Sequence, residues 1–207
     1  MSLSRVLQQR FTAKWWQSQQ LPSSVTQEIL ACAYLAPSKQ GEYNYTILAL
    51  TDTAQARKLK SWLYYHDTAC LDRVQGAQGT GSRRYNGQVL APLVLVWLAH
   101  TPWATAEVND CHVSATMAMA GAELAGVQTG FCGCLGAETA AAHLGYPQHR
   151  AVVSVGFGYA DTDSQVMRTV EHNGVELGFD ISNTDPQIRT TPTRRNKPSK
   201  NKLIRYV

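Results

Sequence analysis

The sequence predicts one globular domain of mixed helices and strands, and three observations carry that expectation. Its 207 residues are enough for one sizeable core. Segments with apolar residues at helical spacing alternate with short, continuous apolar runs of strand length. With 44 % hydrophobic and 16 % charged residues, the composition is that of ordinary globular proteins.

In chain order, a short helix is expected near residues 2–9 and a longer one at 24–35. In the latter, Val25, Ile29, Leu30, Ala33 and Leu35 recur at helical spacing, and Ser24 with Gln27 is placed as a capping box. Pro37 stops this helix because it has no N–H to donate. The loop APSKQGEYNY follows, then a short buried strand, YTILAL, at 45–50. A helix is expected in TAQARKLKSWLYY, and residues 75–90 are loop-like, rich in Gly and polar residues. APLVLVWLAH reads as a strand buried on both faces. VNDCHVSATMAMAGAELAGV is a long helix, apolar nearly all round, which places it in a core or a subunit interface. A turn, QTGFCGCLG, leads to a helix, AETAAAHLGY, and a last strand, AVVSVGFGY. From about residue 161 the chain is polar, Pro-dotted and without clear periodicity, a C-terminal extension of a single domain spanning 1–207.

Several chemistries are excluded by their missing signatures. The sequence has no G-x-S-x-G elbow and no H-E-x-x-H pair, and GAQGTGS lacks both the P-loop lysine and the dinucleotide-fingerprint spacing. Cys132 and Cys134 form a C-x-C without a second pair at zinc-like spacing, so they read as buried thiols and no metal is expected. The six histidines are dispersed and read as surface or structural groups, with His112 on the apolar helix the mildest exception. No side chain stands out as nucleophile or general base, so any reactive centre is borrowed from a cofactor. The five scattered cysteines suit a reducing cytoplasm. No apolar run reaches the ~18 residues of a membrane span, and MSLSRVLQQRF lacks the apolar core of a signal peptide. A cytoplasmic location is expected.

Charge is unevenly distributed. Of 19 basic residues, seven lie from Arg189 onward: Arg189, Arg194, Arg195, Lys197, Lys200, Lys202 and Arg205. No acidic residue follows Asp185, so residues 1–188 carry 12 basic and 15 acidic groups. A mildly acidic body bears a strongly basic tail, which fits an anionic ligand or nucleic acid.

Four ordered segments and the tail resemble the nitroreductase family of FMN-dependent oxidoreductases. QRFTAKWW is similar to the family's N-terminal basic-hydroxyl-basic motif, with Arg10, Thr12 and Lys14 matching and Phe11 where a polar residue or His is usual. LAPSKQGEYNY resembles the helix-ending loop that lies against the flavin. There Pro37 and Ser38 match, Lys39 follows them, Tyr45 stands for the usual aromatic, and Gly41 and YNY depart from the common pattern. APLVLVWLAH resembles the family's register strand; upstream of it, among Arg83, Arg84 and Asn86, Arg84 is the candidate for the flavin's pyrimidine edge. ELAGVQTGFCGCLG is similar to the family's turn after the central helix, with Gly126, Thr129, Phe131 and Gly133 on matching positions and Cys132 where an aliphatic residue is common. In the tail, Arg195 and Lys197 match a pair that returns to the FMN phosphate, and Lys200, Lys202 and Arg205 have no assigned role.

The resemblance implies an α+β fold, a central and mostly antiparallel sheet flanked by helices, in an intertwined homodimer with FMN at the subunit interface. The tail would wrap the partner. It further implies ping-pong transfer of hydride from NADH or NADPH through flavin N5 to a small acceptor such as a nitroaromatic or quinone, with no catalytic side chain. Backbone donors at Cys132–Gly133 would poise N5, and Lys14 and Arg84 would stabilise the reduced ring. Reductive dehalogenation or oxidative dehydrogenation on the same fold is the alternative. A non-catalytic protein with a nucleic-acid-binding tail is the reading from another class, and the less favoured one.

Overall fold

The computed structural model describes residues 10, 12–13, 16–51, 87–101, 104–133, 137–161, 167–172 and 175–180. The elements are α1 (Ser23–Tyr34), β1 (Tyr45–Leu50), β2 (Leu93–Ala99), α2 (Thr105–Leu124), β3 (Gln128–Cys132), α3 (Ala137–His143), β4 (Arg150–Gly158), β5 (Met167–His172) and β6 (Val175–Asp180). Short 3-10 turns lie at Lys39–Gly41 and Gly87–Leu90. The helices expected at 2–9 and in TAQARKLKSWLYY lie outside the described residues.

β1, β2, β4 and β3 form one sheet in that order, with every pair antiparallel. The sheet carries helices on both faces, and the alternation of side chains along β2 shows why. Leu93, Leu95, Trp97 and Ala99 point to one face, where they pack with Ile29 and Ala33 of α1 and with Cys111, Ala115, Ala118, Met119 and Ala122 of α2. Val94, Val96 and Leu98 point to the other, against Val89, Ala91 and Ala140, Ala141 and Leu144 at α3. β2 is buried throughout, as its unbroken apolar run requires, although its neighbours are antiparallel. A bulge opposite Trp97/Leu98 lets Val152 join the first cluster while Ala151 joins the second.

Gly156 sets how closely the 87–90 turn lies on the sheet. A Cβ there would run into the Gln88 carbonyl and the Ala91 side chain. A buried polar relay ties three elements together: Trp97 Nε1 donates to Ser114 Oγ at 2.9 Å, and Ser114 Oγ donates to the Ala33 carbonyl at 2.8 Å. The relay satisfies a last-turn carbonyl of α1 that the helix itself leaves open.

Three expectations need correction. The capping box is absent: α1 starts one residue earlier, Pro22 is the N-cap with no side-chain cap, and Ser24 therefore lies inside the first turn. The segment read as a turn, QTGFCGCLG, is largely strand β3, because β4 pairs along it from Gln128 to Cys132. The region beyond 161 contains a hairpin, β5 with β6, in its own two-stranded sheet. Among the described residues no helix is long and apolar enough to cross a membrane.

Candidate functional site

The site is built on β3 and on the N-terminal segment that runs beside it. Thr12 bridges Thr129 in parallel, and the Ala13 N–H donates to the Thr129 carbonyl at 2.9 Å. Further along, Trp16 bridges Ala160, the Gln17 N–H donates to the Tyr159 carbonyl at 2.8 Å, and Gln17 Nε2 donates to the Ala160 carbonyl at 3.0 Å. Gly130 makes the approach possible, since any Cβ would strike the Ala13 carbonyl and the Gln88 side chain.

This pairing brings Arg10 to a defined place. Its Nη1 is buried with no hydrogen-bond partner among the described residues. An unpaired buried donor on a charged group costs roughly 1–3 kcal/mol or more, which an incoming acceptor would recover. Arg10 bears electrostatically on Glu123, whose carboxyl accepts a hydrogen bond from Thr129 Oγ1 at 2.7 Å. Burial pushes the Glu123 carboxyl up to about 7, while the Thr129 hydroxyl and the Arg10 charge pull in the opposite direction. Glu123 sits in the last turn of α2, closed by a Schellman turn: the Gly126 N–H donates to the Glu123 carbonyl at 3.1 Å and the Val127 N–H to the Ala122 carbonyl at 2.9 Å. Gly126, at φ +78°, is suited to that turn.

At the other end of β3, Phe131 stands beside His112 of α2, ring centroids 6.3 Å apart and tilted by 33°. His112 is held by Nδ1 against the Val108 carbonyl at 2.8 Å. Cys132 is a buried thiol, and Gly133 is exposed, with only the Phe131 ring edge at 3.8 Å from where a Cβ would lie. Burial pushes the neighbouring Cys111 thiol up to about 12, aided by Asp110 and Glu107, so it stays protonated and inert.

The loop after α1 is pinned to α2 rather than left as a spacer. The Lys39 N–H donates to Asp110 Oδ2 and the Tyr43 N–H donates to Ser38 Oγ, both at 2.9 Å. Between these anchors Gln40, Gly41 and Tyr43 all take positive φ, at 57°, 71° and 50°. Two non-glycine residues in that region mark a conformation held by its surroundings. Pro37 and the Lys39 side chain are exposed, and Ser38 is half-buried.

Of the expected site residues, the fold thus places Thr12 against Thr129 of β3, and Arg10, two residues earlier, within electrostatic reach of Glu123. Phe131, Cys132 and Gly133 lie at the far end of that strand, and Pro37, Ser38 and Lys39 in a loop fastened to α2. Phe11, Lys14, Arg84, Arg195 and Lys197 lie outside the described residues. Glu123, Asp110 and His112 had no role assigned from sequence. Charged groups on an otherwise apolar helix were the available signal for the first two.

No protein-family profile matches the sequence, and no curated protein matches it. Solved structures do. The chain is similar to an FMN-bound nitroreductase from Bacteroides fragilis, at TM-score 0.64 and 18 % identity, over 84 % of this chain and 96 % of that one. The chain has the nitroreductase fold. It is also similar to the FMN-dependent nitroreductase NfnB of Mycobacterium smegmatis, solved with NADPH, at TM-score 0.60 and 17 % identity, over 77 % of this chain and 88 % of that one. A third, an FMN-bound nitroreductase from Desulfitobacterium hafniense, has TM-score 0.58 and 18 % identity over 78 % and 90 % of the two chains. The nitroreductase fold expected from the ordered motifs is therefore the one the chain adopts, a likeness of fold at low identity.

Proposed function

We propose that this protein is an FMN-dependent oxidoreductase that takes electrons from NADH or NADPH and reduces a small acceptor such as a nitroaromatic or quinone. The observation that carries the reading is the buried, unpartnered Nη1 of Arg10, held beside the β3 edge of a nitroreductase fold. A phosphate monoester supplies the acceptor that this donor lacks, and Arg is suited to it by its planar fork. Thr12 adds a hydroxyl, and Lys14, Arg195 and Lys197 are the further cations of the grip.

Bound FMN would supply the redox chemistry, alternately accepting and giving up a hydride at one ring position. The protein's own part is to bind, orient and exclude water. The exposed backbone at Gly133, after the buried Cys132, offers N–H donors to a flat ring. The Phe131–His112 ring pair would flank that position. The pinned 38–43 loop would form another side, and Lys14 with Arg84 would steady negative charge on a reduced ring. Tyr43 and Gly41 change this loop from the usual pattern, which leaves dehalogenation or dehydrogenation as the alternative reaction.

The same reading makes the protein a homodimer of single-domain subunits, with the segment after about 161 wrapped on the partner. α2 supports it: Val113, Met117 and Leu124 are 40 %, 43 % and 53 % exposed, and Tyr34 and Leu35 at the end of α1 are 76 % and 72 % exposed. Apolar side chains of that size on neighbouring helices call for a covering surface.

The test is direct. The purified protein should be yellow, with about one FMN per chain, and anaerobic stopped-flow mixing with NADH or NADPH should bleach the flavin band. A colourless protein that takes up no FMN on titration overturns the reading.

A further inference from the structure

We propose that Glu123 takes up a proton when the phosphate end of the cofactor seats on Arg10, so that this carboxyl tunes the site's preference for a phosphorylated over an unphosphorylated flavin. The inference rests on the FMN reading above and concerns a residue to which that reading assigns nothing. Three facts place it. The N-terminal segment and Glu123 both attach to Thr129, the first through its backbone and the second through its hydroxyl. Arg10 is the charged group that bears on Glu123 among the described residues, and Thr129 is the group facing it from β3. Arg10 nonetheless keeps Nη1 buried and unpartnered. The guanidinium thus bears on a carboxyl and has one buried nitrogen position, Nη1, without an acceptor.

A phosphate monoester in that position brings close to two negative charges into a partly buried site. Glu123 already resists ionisation, because it is buried and because the negative end of the α2 dipole lies at its turn. Adding the phosphate takes away much of the Arg10 field that favours its carboxylate. The economical outcome is one proton drawn from solvent onto Glu123, leaving a neutral carboxylic acid beside the Arg–phosphate pair. No bond to carbon or phosphorus changes. The sign follows: well below pH 7 Glu123 is already protonated and binding needs no proton, whereas well above pH 7 proton uptake approaches one for each bound FMN.

FMN and riboflavin titrations of the full-length apoprotein between pH 7 and 9 test this, with calorimetry at pH 8 in buffers of different ionisation enthalpy. Wild-type affinity for FMN should fall by up to about tenfold per pH unit, with proton uptake approaching about one per FMN. Riboflavin affinity should stay level. Glu123→Gln, which can still accept from the Thr129 hydroxyl, should bind FMN with a flat profile and more tightly than wild type at pH 9. Thr129→Val removes a hydroxyl that favours the ionised carboxyl, and should move the onset of the fall to higher pH. A wild-type FMN profile as flat as that of Glu123→Gln overturns this inference and leaves the FMN reading standing. An equal slope for riboflavin also overturns it, since the proton would then not be linked to the phosphate. Absence of FMN uptake by either protein at any pH overturns both.

Discussion

Arg10 is a charged group that bears on the buried carboxyl of Glu123. Charge-assisted hydrogen bonds to a phosphate are each worth roughly 1.5–3 kcal/mol. Arg10→Ala should therefore weaken FMN binding by about one to two powers of ten, with riboflavin much less affected; fluorescence titration of the two flavins makes the comparison. Glu123 also leaves a mark on the apoprotein. Its folded-state value of about 7 lies above the ordinary carboxyl value of about 4.3. The native state therefore holds a proton that the unfolded state releases, and stability is lost as pH rises between those values. Glu123→Gln should raise the melting temperature of the apoprotein more at pH 8 than at pH 5.5. Thermal scans that gave an equal shift at both would count against a buried, weakly ionised Glu123. In the loop, Gln40 at φ 57° carries strain of about 1–2 kcal/mol that glycine would not feel. Allowing for glycine's greater freedom in the unfolded chain, Gln40→Gly should still stabilise by several tenths of a kcal/mol.

Among the elements, those with local signals were legible in the sequence and those made by pairing were not. β1 begins and ends where YTILAL does, and β2 was legible from seven consecutive residues that all prove buried. α1 and α2 carried enough small and apolar residues to be found, though the start of α1 was misplaced by a residue. β3 was not legible: Gly130 interrupts the strand-favouring Thr129 and Phe131, and the segment is a strand because β4 on one side and the Thr12–Ala13 segment on the other hold it. The β5–β6 hairpin did have a signal, Asn173-Gly174 between two six-residue strands, but the polar surroundings masked its alternation. Among the candidate site residues, Arg10 and Thr12 were named together from the sequence, and the structure sets Thr12 beside β3. Glu123 was not named, because its relation to Arg10 exists only after β3 and the N-terminal segment have paired. Packing between elements is tested at Ser114. Ser114→Ala strands the Trp97 N–H and the Ala33 carbonyl, and should cost about 1–3 kcal/mol in denaturant unfolding. Ser114→Thr keeps the hydroxyl but adds a methyl to a fully buried position, so it should restore only part of the loss.

For the whole molecule, the apolar side of α2 sets the expected assembly. Met117→Glu introduces a charge where the proposed partner would sit, without touching the internal core, since Met117 is 43 % exposed in the single chain. Sedimentation should then show monomers in place of dimers. FMN occupancy should fall with dissociation if each site draws residues from both subunits. A dimer that persists unchanged would place the interface elsewhere. The sheet itself raises a different matter, because β3 is its last strand and Gly130 leaves it thin. The short run through Thr12, Ala13, Trp16 and Gln17 occupies backbone groups along and just beyond that margin. A bare strand margin is a template on which other chains can add and grow. Trimming the chain back to residue 18 should therefore do more than remove Arg10. It should make the protein self-associate through β3, visible as thioflavin-positive aggregates on mild heating, so that the proposed phosphate grip and the protection of that margin rest on the same few residues.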